Sequence, residues 1–209
     1  ILEKYHLISK LDFYMVEQVC RKIKERKEKG LTVLPVSVNI SRDDFDTTNV
    51  VKEITAITDK YGVDRDLIII EITESAISND ENVLKEQLEK LKKAGFKLWL
   101  DDFGSGYSSL NVLHEFNFDL IKLDMKFLKD FDPERENAIL IDCIIQLANK
   151  LKINTLIEGV ETKEQFDFIR KSGCGRAQGF FIGQPENIMD IRKFIDELAP
   201  FKDNFEKNR

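Results

Sequence analysis

Two adjacent acidic residues follow an apolar segment near the middle of the chain. Residues 98–100 are typical of a buried strand, and Asp101 and Asp102 end this strand before a loop that contains Gly104 and Gly106. Successive side chains of a strand point to opposite faces, so both carboxylates can reach one ion or substrate only if the chain begins to turn here. Two interpretations fit this segment equally well: a site that uses both acids, or a strand end with solvated acids and a helix cap.

Polar residues also follow the other apolar segments of the chain. The carboxyl end of each predicted strand carries a carboxylate, an amide or a lysine, namely Asn39, Glu71, Asp101 with Asp102, Lys122 with Asp124, Glu158 with Glu161, and Gln178. In a parallel barrel these strand ends converge on one face, where catalytic sites lie. Clustered oxygen ligands repel one another unless cations join them, and they select hard divalent ions such as Mg²⁺ or Mn²⁺. The series predicts a two-metal hydrolytic site in which Lys122 pairs with a water or a phosphate oxygen.

Single members of this series also have structural interpretations. Asn39 alone is typical of a polar strand end, and Lys122 is equally consistent with a buried partner of one of the acids. Glu74, just outside its strand, either accepts hydrogen bonds from the glycine loop after Asp102 or is a helix-capping or solvated acid. Gln178 lies in a predicted apolar strand, where a buried amide needs partners, and a ligand with hydrogen-bonding edges is one candidate.

Strands and helices alternate along the chain and would position these residues. Helical spacing of apolar residues predicts helices over residues 11–29, 49–61, 82–94, 108–113, 134–151, 163–171 and 188–198. Strands are predicted over residues 33–40, 67–72, 120–124, 155–157 and 177–181, together with the segment that ends in Asp101 and Asp102. Six alternations with short connections are typical of a parallel α/β domain built from right-handed crossovers. No linker divides the chain, which indicates a single domain over residues 1–209.

Composition narrows the class of function. The 209 residues carry a formal net charge of −6, so the chain is not a natural binder of polyanions such as DNA or RNA. The cysteines Cys20, Cys143 and Cys174 are odd in number and widely spaced, which indicates structural thiols in a reducing compartment. No apolar segment is long enough to span a membrane. The chain begins at Ile1 rather than at a methionine, which indicates a segment of a longer protein.

The motifs around these residues resemble one protein family. SVNIS (37–41), EITES (71–75), DDFGSGYSSL (101–110), DLIKLD (119–124), EGVET (158–162) and QGFFIGQP (178–185) occur in the order found in the EAL-domain family of cyclic di-GMP phosphodiesterases. Each motif alone is weak, but the set spans nearly the whole chain and is specific. The resemblance implies an α/β fold, a modified TIM (β/α)8 barrel with one antiparallel strand. It also implies hydrolysis of cyclic di-GMP to linear pGpG with Mg²⁺ or Mn²⁺, two ions per site.

The resemblance implies a set of metal ligands. Asn39, Glu71 and Asp101 would ligate one ion. Asp101, as a bridging ligand, and Asp102 would hold the second ion. Glu158 would serve the second ion or its water.

Further roles follow from the same resemblance. Lys122 would orient or help to activate the attacking water, and Glu74 would anchor the loop over residues 103–109. Gln178 would contact the nucleotide, and Glu161 would support the site. Homodimers and covalently linked sensory or diguanylate cyclase domains are further implications of the family.

The match to the family departs from its pattern in several places. The Glu-Ala-Leu motif that names the family, with its metal-ligating glutamate, would precede Ile1, and six predicted strands stand where the family has eight. We therefore expect an N-terminally incomplete barrel, without its first two strands, from a larger multidomain signalling protein. Trp99 stands where a small or aliphatic residue is usual, and its parity with Asp101 directs its ring into the barrel. Met125 with Lys126 and Gln184 also differ from the usual residues.

Three functions are compatible with the sequence. The first is an active metal-dependent phosphodiesterase, and the second is an inactive cyclic di-GMP-binding or dimerisation module of a multidomain regulator. The third is an aldolase-like barrel in which Lys122 forms a Schiff base. The surrounding acids would keep that lysine protonated, which argues against the third function.

Overall fold

The fold alternates strands with helices along the part of the chain that the structure describes. The structure is a computed structural model, and it describes residues 8–77, 81–105 and 110–185. The strands are β1 (Val36–Asn39), β2 (Ile68–Thr73), β3 (Lys97–Phe103), β4 (Leu120–Leu123), β5 (Asn154–Ile157) and β6 (Arg176–Ala177). The helices are α1 (Ile8–Glu28), α2 (Arg42–Thr47), α3 (Val50–Tyr61), α4 (Glu74–Ile77), α5 (Glu81–Lys93), α6 (Leu110–Glu115), α7 (Glu136–Lys150) and α8 (Lys163–Lys171). Short 3₁₀ turns occupy Arg65–Leu67 and Met125–Leu128.

The six strands form one parallel sheet in chain order. Each strand pairs with the next from β1 to β6, and the sheet curls into a half-barrel with helices on its outer side. The predicted α/β, TIM-barrel-like fold is therefore confirmed. Because all strands run in the same direction, their carboxyl ends lie along one edge of the half-barrel.

In β2 and β3, alternating residues separate an apolar outer face from an inner face that carries the acids. Ile68, Ile70 and Ile72 of β2 are fully buried in the core that the strands share with the helices. Fully burying such a side chain stabilises the fold by about 1.5–3 kcal/mol. Glu71 lies between two of these isoleucines in β2, and Trp99 is its register partner in β3. Both residues are on the inner side of the sheet. This period-two alternation is what directs polar residues toward the interior of the half-barrel.

Two predicted strands are shorter in the structure. The first begins at Val36 rather than at residue 33, directly after Pro35, which has no N–H to donate to a neighbouring strand. The last was predicted over residues 177–181 but ends at Ala177. Gly179 packs so closely on the backbone of Val160 that a Cβ would lie 2.2 Å from the Val160 oxygen, and a turn follows in which Ile182 N–H bonds to Gly179 O. The prediction that Gln178 lies inside an apolar strand is therefore wrong.

Most predicted helices agree with the structure to within a few residues. The helix over residues 163–171 has the predicted bounds, and the predicted helix over residues 108–113 begins at Leu110. The short helices α2 and α4 were not predicted, because six and four residues are too few for a periodic pattern. Residues 106–109 of the glycine loop and the predicted helix over residues 188–198 lie outside the described residues. Among the helices described, none combines the length and apolarity needed to cross a membrane.

Candidate functional site

Lys122 lies at the centre of a cluster of carboxylates on the inner face of the sheet. Its Nζ is 2.9 Å from Asp101 Oδ1, 2.9 Å from Glu158 Oε1 and 3.3 Å from Glu71 Oε2. The four residues come from β2, β3, β4 and the end of β5, so four consecutive strands contribute one side chain each. The Lys122 side chain is only 7 % exposed, which makes this a buried network rather than a surface ion pair.

The carboxylates hold Lys122 in its charged form. Burial alone would lower the pKa of Lys122, but hydrogen bonds to Asp101 and Glu158 and the charge of Glu71 outweigh burial and raise the pKa above its usual value. Burial raises the pKa of Glu71, against the opposing effects of Lys122 and a hydrogen bond from Ser37. The cluster thus keeps an ammonium group within reach of several acids.

A backbone turn at Asp102 brings the two adjacent acids to one side. Asp102 has a φ of +56°, a left-handed conformation that aspartate tolerates better than most residues. Its backbone N–H donates to Asp101 Oδ1 over 2.9 Å. Carboxylate oxygens of Asp101, Asp102 and Glu158 consequently lie within 4.8 Å of one another. The turn that the sequence required for joint action of Asp101 and Asp102 is present.

Asp124 is a further acid near the cluster, which the strand-end series includes but to which no role was assigned. Burial, followed by the negative charges of Asp101 and Asp124, raises the pKa of Asp102. Asp124 is 7 % exposed, and its Oδ1 accepts the Lys126 backbone N–H over 2.7 Å. Its position two residues after Lys122, directly after the end of β4, is the pattern that places it in the strand-end series.

Glu74 connects this cluster to the glycine loop. It is the first residue of α4, it is buried, and its Oε2 accepts the Gly104 backbone N–H over 2.9 Å. Gly104 has a φ of +89°, and a Cβ there would lie 2.2 Å from Cζ of Phe127. The expected hydrogen bond between Glu74 and the loop is thus present at Gly104, in a backbone conformation that favours glycine.

Three candidate residues lie outside the cluster. Asn39 is exposed at the end of β1, in register with Glu71, so it lies beside the cluster without contacting Lys122 in the described structure. Gln178 and Glu161 are both exposed. The backbone of Gln178 bonds to Ile157 and Val160, and the Glu161 N–H donates to Gln165 Oε1 over 2.8 Å. The expectation of a buried Gln178 amide is corrected by its position after the end of β6.

Trp99 lies on the inner face of the sheet, two residues before Asp101 in β3. The Arg176 guanidinium carbon is 5.1 Å from the centre of the Trp99 ring, which is a cation–π contact between β3 and β6. Trp99 is half-buried and in register with Glu71. The predicted orientation toward the barrel interior agrees with this contact, because Arg176 lies on the far strand of the sheet.

The donor set of the cluster fits hard divalent cations. Three carboxylates can each present an oxygen to one position, and a fourth acid and the Asn39 amide lie at neighbouring strand ends. No histidine or cysteine takes part among these residues, which disfavours the softer transition metals. The acids outnumber the single lysine, so the cluster has negative charge to offer to a cation.

The chain matches one protein-family model over most of its length. The EAL domain family model matches residues 1–185. The chain belongs to the EAL domain family. The match covers every described strand and all nine candidate residues, from Asn39 to Gln178.

Relatives of this EAL domain include proteins named for cyclic di-GMP. The chain is 33 % identical over 196 residues to the probable cyclic di-GMP phosphodiesterase PdeG of Escherichia coli K12, which covers 93 % of this chain and 38 % of PdeG. The chain thus spans well under half the length of this curated relative. A solved structure of the PaMucR phosphodiesterase in complex with c-di-GMP is similar with a TM-score of 0.83 and 27 % identity, over 91 % of this chain and 83 % of that one. A manganese and cyclic di-GMP complex of Klebsiella pneumoniae BlrP1 has a TM-score of 0.71 and 25 % identity, over 80 % and 43 % of the two chains.

Proposed function

We propose that this EAL domain hydrolyses cyclic di-GMP to linear pGpG with the help of two divalent cations, Mg²⁺ or Mn²⁺. The observation that carries the proposal is the convergence of four strand ends on Lys122, with Asp102 turned toward the same position. Family membership and relatives named as phosphodiesterases support the same reaction. A phosphodiester gains negative charge in the transition state of its hydrolysis. A site lined with carboxylates therefore needs cations to bind it.

The acids are assigned to metal binding. Asn39, Glu71 and Asp101 would hold one cation, while Asp101, Asp102 and Glu158 would hold the second. Bound cations of this kind lower the pKa of a coordinated water and neutralise charge on phosphoryl oxygens. The carboxylates of this chain supply the placement, since they are fixed by neighbouring parallel strands.

Lys122 acts as a charged hydrogen-bond donor in this proposal. Its raised pKa keeps it protonated near neutral pH, so it can orient the attacking water or a phosphate oxygen but cannot serve as a nucleophilic amine. The same property counts against the aldolase-like alternative, in which a neutral lysine must form a Schiff base. Glu158 lies 2.9 Å from Lys122 and would accept a proton from the water or orient it.

The remaining assignments concern groups around the cluster. We assign nucleotide contact to Gln178, support of the site to Glu161 and anchoring of the glycine loop to Glu74, whose bond to Gly104 supports this role. We infer that a preceding strand supplies the glutamate of the Glu-Ala-Leu motif, and that sensory or diguanylate cyclase domains are linked to this one. Homodimers and a cytoplasmic location complete the proposal, and three cysteines without disulfides agree with a reducing compartment.

The test of this function is turnover of cyclic di-GMP by the protein with Mg²⁺ or Mn²⁺. We expect pGpG as the product on ion-pair chromatography, and Asp101→Asn should lower the rate by more than about 100-fold because a shared ligand is lost. The matched control is Asp119→Asn, which removes the same charge at the opposite end of the sheet and should keep the activity. Equal turnover in wild type and Asp101→Asn would refute the metal assignment.

A binding module without turnover is the second candidate function. It shares the acids and the fold, so calorimetric titration with cyclic di-GMP distinguishes the two. Binding in the presence of Mn²⁺ without any pGpG would favour the module over the enzyme. Turnover would exclude it.

A further inference from the structure

Trp99 and Arg176 form a contact across the inner face of the half-barrel. The Arg176 guanidinium carbon lies 5.1 Å from the centre of the Trp99 ring, although β4 and β5 separate β3 from β6 in the sheet. Neighbouring strands of a sheet lie about 4.8 Å apart, so the two side chains must extend toward each other over two strands. The contact therefore joins β3 directly to β6 across the curve of the sheet.

The strand register places this contact beside the acidic cluster. Leu156 of β5 is the register partner of Lys122 on one side and of Arg176 on the other, so the three residues form one row across the sheet. Trp99 lies one row closer to the amino ends of the strands, where Leu120 of β4 is its register partner. Because register partners share a face of the sheet, the contact lies on the same face as the Lys122 network.

Each residue of the pair lies two positions before a candidate site residue. Trp99 precedes Asp101 in β3, and Arg176 precedes Gln178, which follows β6. The strand β6 has two residues, and two register pairs join it to β5. The backbone of Gln178 bonds to the end of β5 and to the segment after it, which fixes its distance from β5 but not its distance from β3. The contact between Trp99 and Arg176 supplies a link to β3.

We propose that Trp99 and Arg176 are positioning residues for the nucleotide, because their contact sets the curvature of the sheet and with it the separation between Asp101 and Gln178. In the proposed hydrolysis, on which this role rests, Asp101 binds a metal ion and Gln178 contacts the nucleotide. Without the link to β3, the short β6 would also populate positions in which Gln178 does not reach a nucleotide held at the cluster. Arg176 is exposed, and a cation–π contact at an exposed site biases such positions by about 2- to 5-fold.

Steady-state kinetics with cyclic di-GMP and Mn²⁺ separate this role from catalysis. We expect Arg176→Gln and Trp99→Leu each to raise KM by about 2- to 5-fold with kcat within about 2-fold of wild type, because the acids and Lys122 are unchanged. Trp99→Phe keeps an aromatic ring and should give a KM closer to wild type than Trp99→Leu does. The double variant Trp99→Leu/Arg176→Gln should have no larger KM than the single variants, since all three remove the same contact.

Arg65→Gln is the matched control. It removes another cation–π contact, in which the Arg65 guanidinium carbon lies 5.9 Å from the centre of the Phe96 ring near the amino ends of the strands, and it should leave KM unchanged. Trp99 is the only tryptophan of the chain, so its fluorescence reports the contact in each variant. We expect emission at longer wavelength in Arg176→Gln, because water reaches the ring, and unchanged emission in Arg65→Gln.

The two proposals fail in different ways. If the wild type binds cyclic di-GMP without turnover, the proposed hydrolysis is refuted, and calorimetric dissociation constants of the same variants should show the ratios expected for KM. Unchanged Trp99 emission in Arg176→Gln, or a wild-type KM in that variant, would overturn the positioning role. An effect of Arg176→Gln that persists in the Trp99→Leu background would also overturn it, because the arginine would then act through its charge on the anionic nucleotide.

Discussion

Two lysines lie against carboxylates at opposite ends of the same sheet, and they have different partners. Lys122 contacts three carboxylates at the carboxyl ends of the strands, and its side chain is 7 % exposed. Lys92 contacts one carboxylate, Asp119, over 2.8 Å, and the two side chains are 25 % and 32 % exposed. Asp119 also accepts the Leu98 backbone N–H over 2.8 Å, so it joins α5 to the start of β3.

The two ends of the sheet differ in the balance between lysines and carboxylates. At the amino ends of the strands, Lys92 neutralises Asp119, which also accepts the Leu98 backbone N–H. These contacts join α5 to the sheet. At the carboxyl ends the acids Glu71, Asp101, Asp102 and Glu158 share one lysine, which leaves negative charge that the fold does not neutralise. An excess of buried acid costs stability, so its presence indicates a ligand that the acids are placed to bind.

Replacing each lysine in turn tests whether the two ends of the sheet differ in this way. We expect Lys122→Met to cost about 3–5 kcal/mol of unfolding free energy, because three largely buried carboxylates lose the lysine that contacts them. The matched variant Lys92→Met should cost about 1 kcal/mol, since its acid is partly solvated and keeps the Leu98 N–H. Urea unfolding of both variants measures the costs.

The effect of Mn²⁺ on the unfolding free energy also distinguishes the two lysine variants. If the acids bind metal, Mn²⁺ should raise the unfolding free energy of Lys122→Met more than that of Lys92→Met, because loss of the Lys122 ammonium leaves the acids more negative and tighter binding to the folded state stabilises it more. Equal costs of the two substitutions, or equal effects of Mn²⁺ on them, would remove the distinction between the two ends.

The sequence was sufficient to predict which strand ends carry the acids, but not how they share Lys122. Strand identity and the period of two follow from local patterns, and these place Glu71, Asp101 and Lys122 on one face. The three contacts of Lys122 depend on the register between strands, which is set by packing across the sheet. The early end of β6 at Ala177 likewise depends on the close approach of Gly179 to Val160, a tertiary contact with no local signal.

The loop contact at Glu74 gives the next largest expected effect. Glu74→Ala leaves the Gly104 N–H without this acceptor and should lower the rate of cyclic di-GMP hydrolysis by about 10- to 100-fold. Glu74→Gln keeps a carbonyl oxygen at the same place and should retain most of the activity. Initial rates with Mn²⁺ compare the two variants, and a Glu74→Gln enzyme as slow as Glu74→Ala would show that charge rather than the hydrogen bond matters.

Two glycines with similar backbone angles allow a finer test of how tightly the carboxyl end is packed. Gly104 and Gly95 have φ values of +89° and +99°, but a Cβ at Gly95 would meet only Arg65 Cβ at 3.8 Å, whereas one at Gly104 would overlap Phe127. Gly104→Ala should therefore cost about 1–3 kcal/mol more than Gly95→Ala in unfolding free energy. Thermal unfolding of the pair measures this, and equal costs would mean that Phe127 moves aside freely.

The smallest expected effect concerns two acids that lie against each other, Asp12 and Asp44. Asp12 and Asp44 meet where Ser41 N–H donates to both, and burial, followed by the hydrogen bond and charge of Asp44, raises the pKa of Asp12 to about 7. An acid that holds its proton longer in the folded state stabilises the protein at low pH, and this stability is lost as the pH rises from about 4 through about 7. Asp12→Asn cannot titrate and should flatten this part of the pH profile of unfolding free energy, whereas the exposed-site control Asp66→Asn should leave the slope in place. An unchanged slope in Asp12→Asn would show that Asp12 does not set this part of the pH profile.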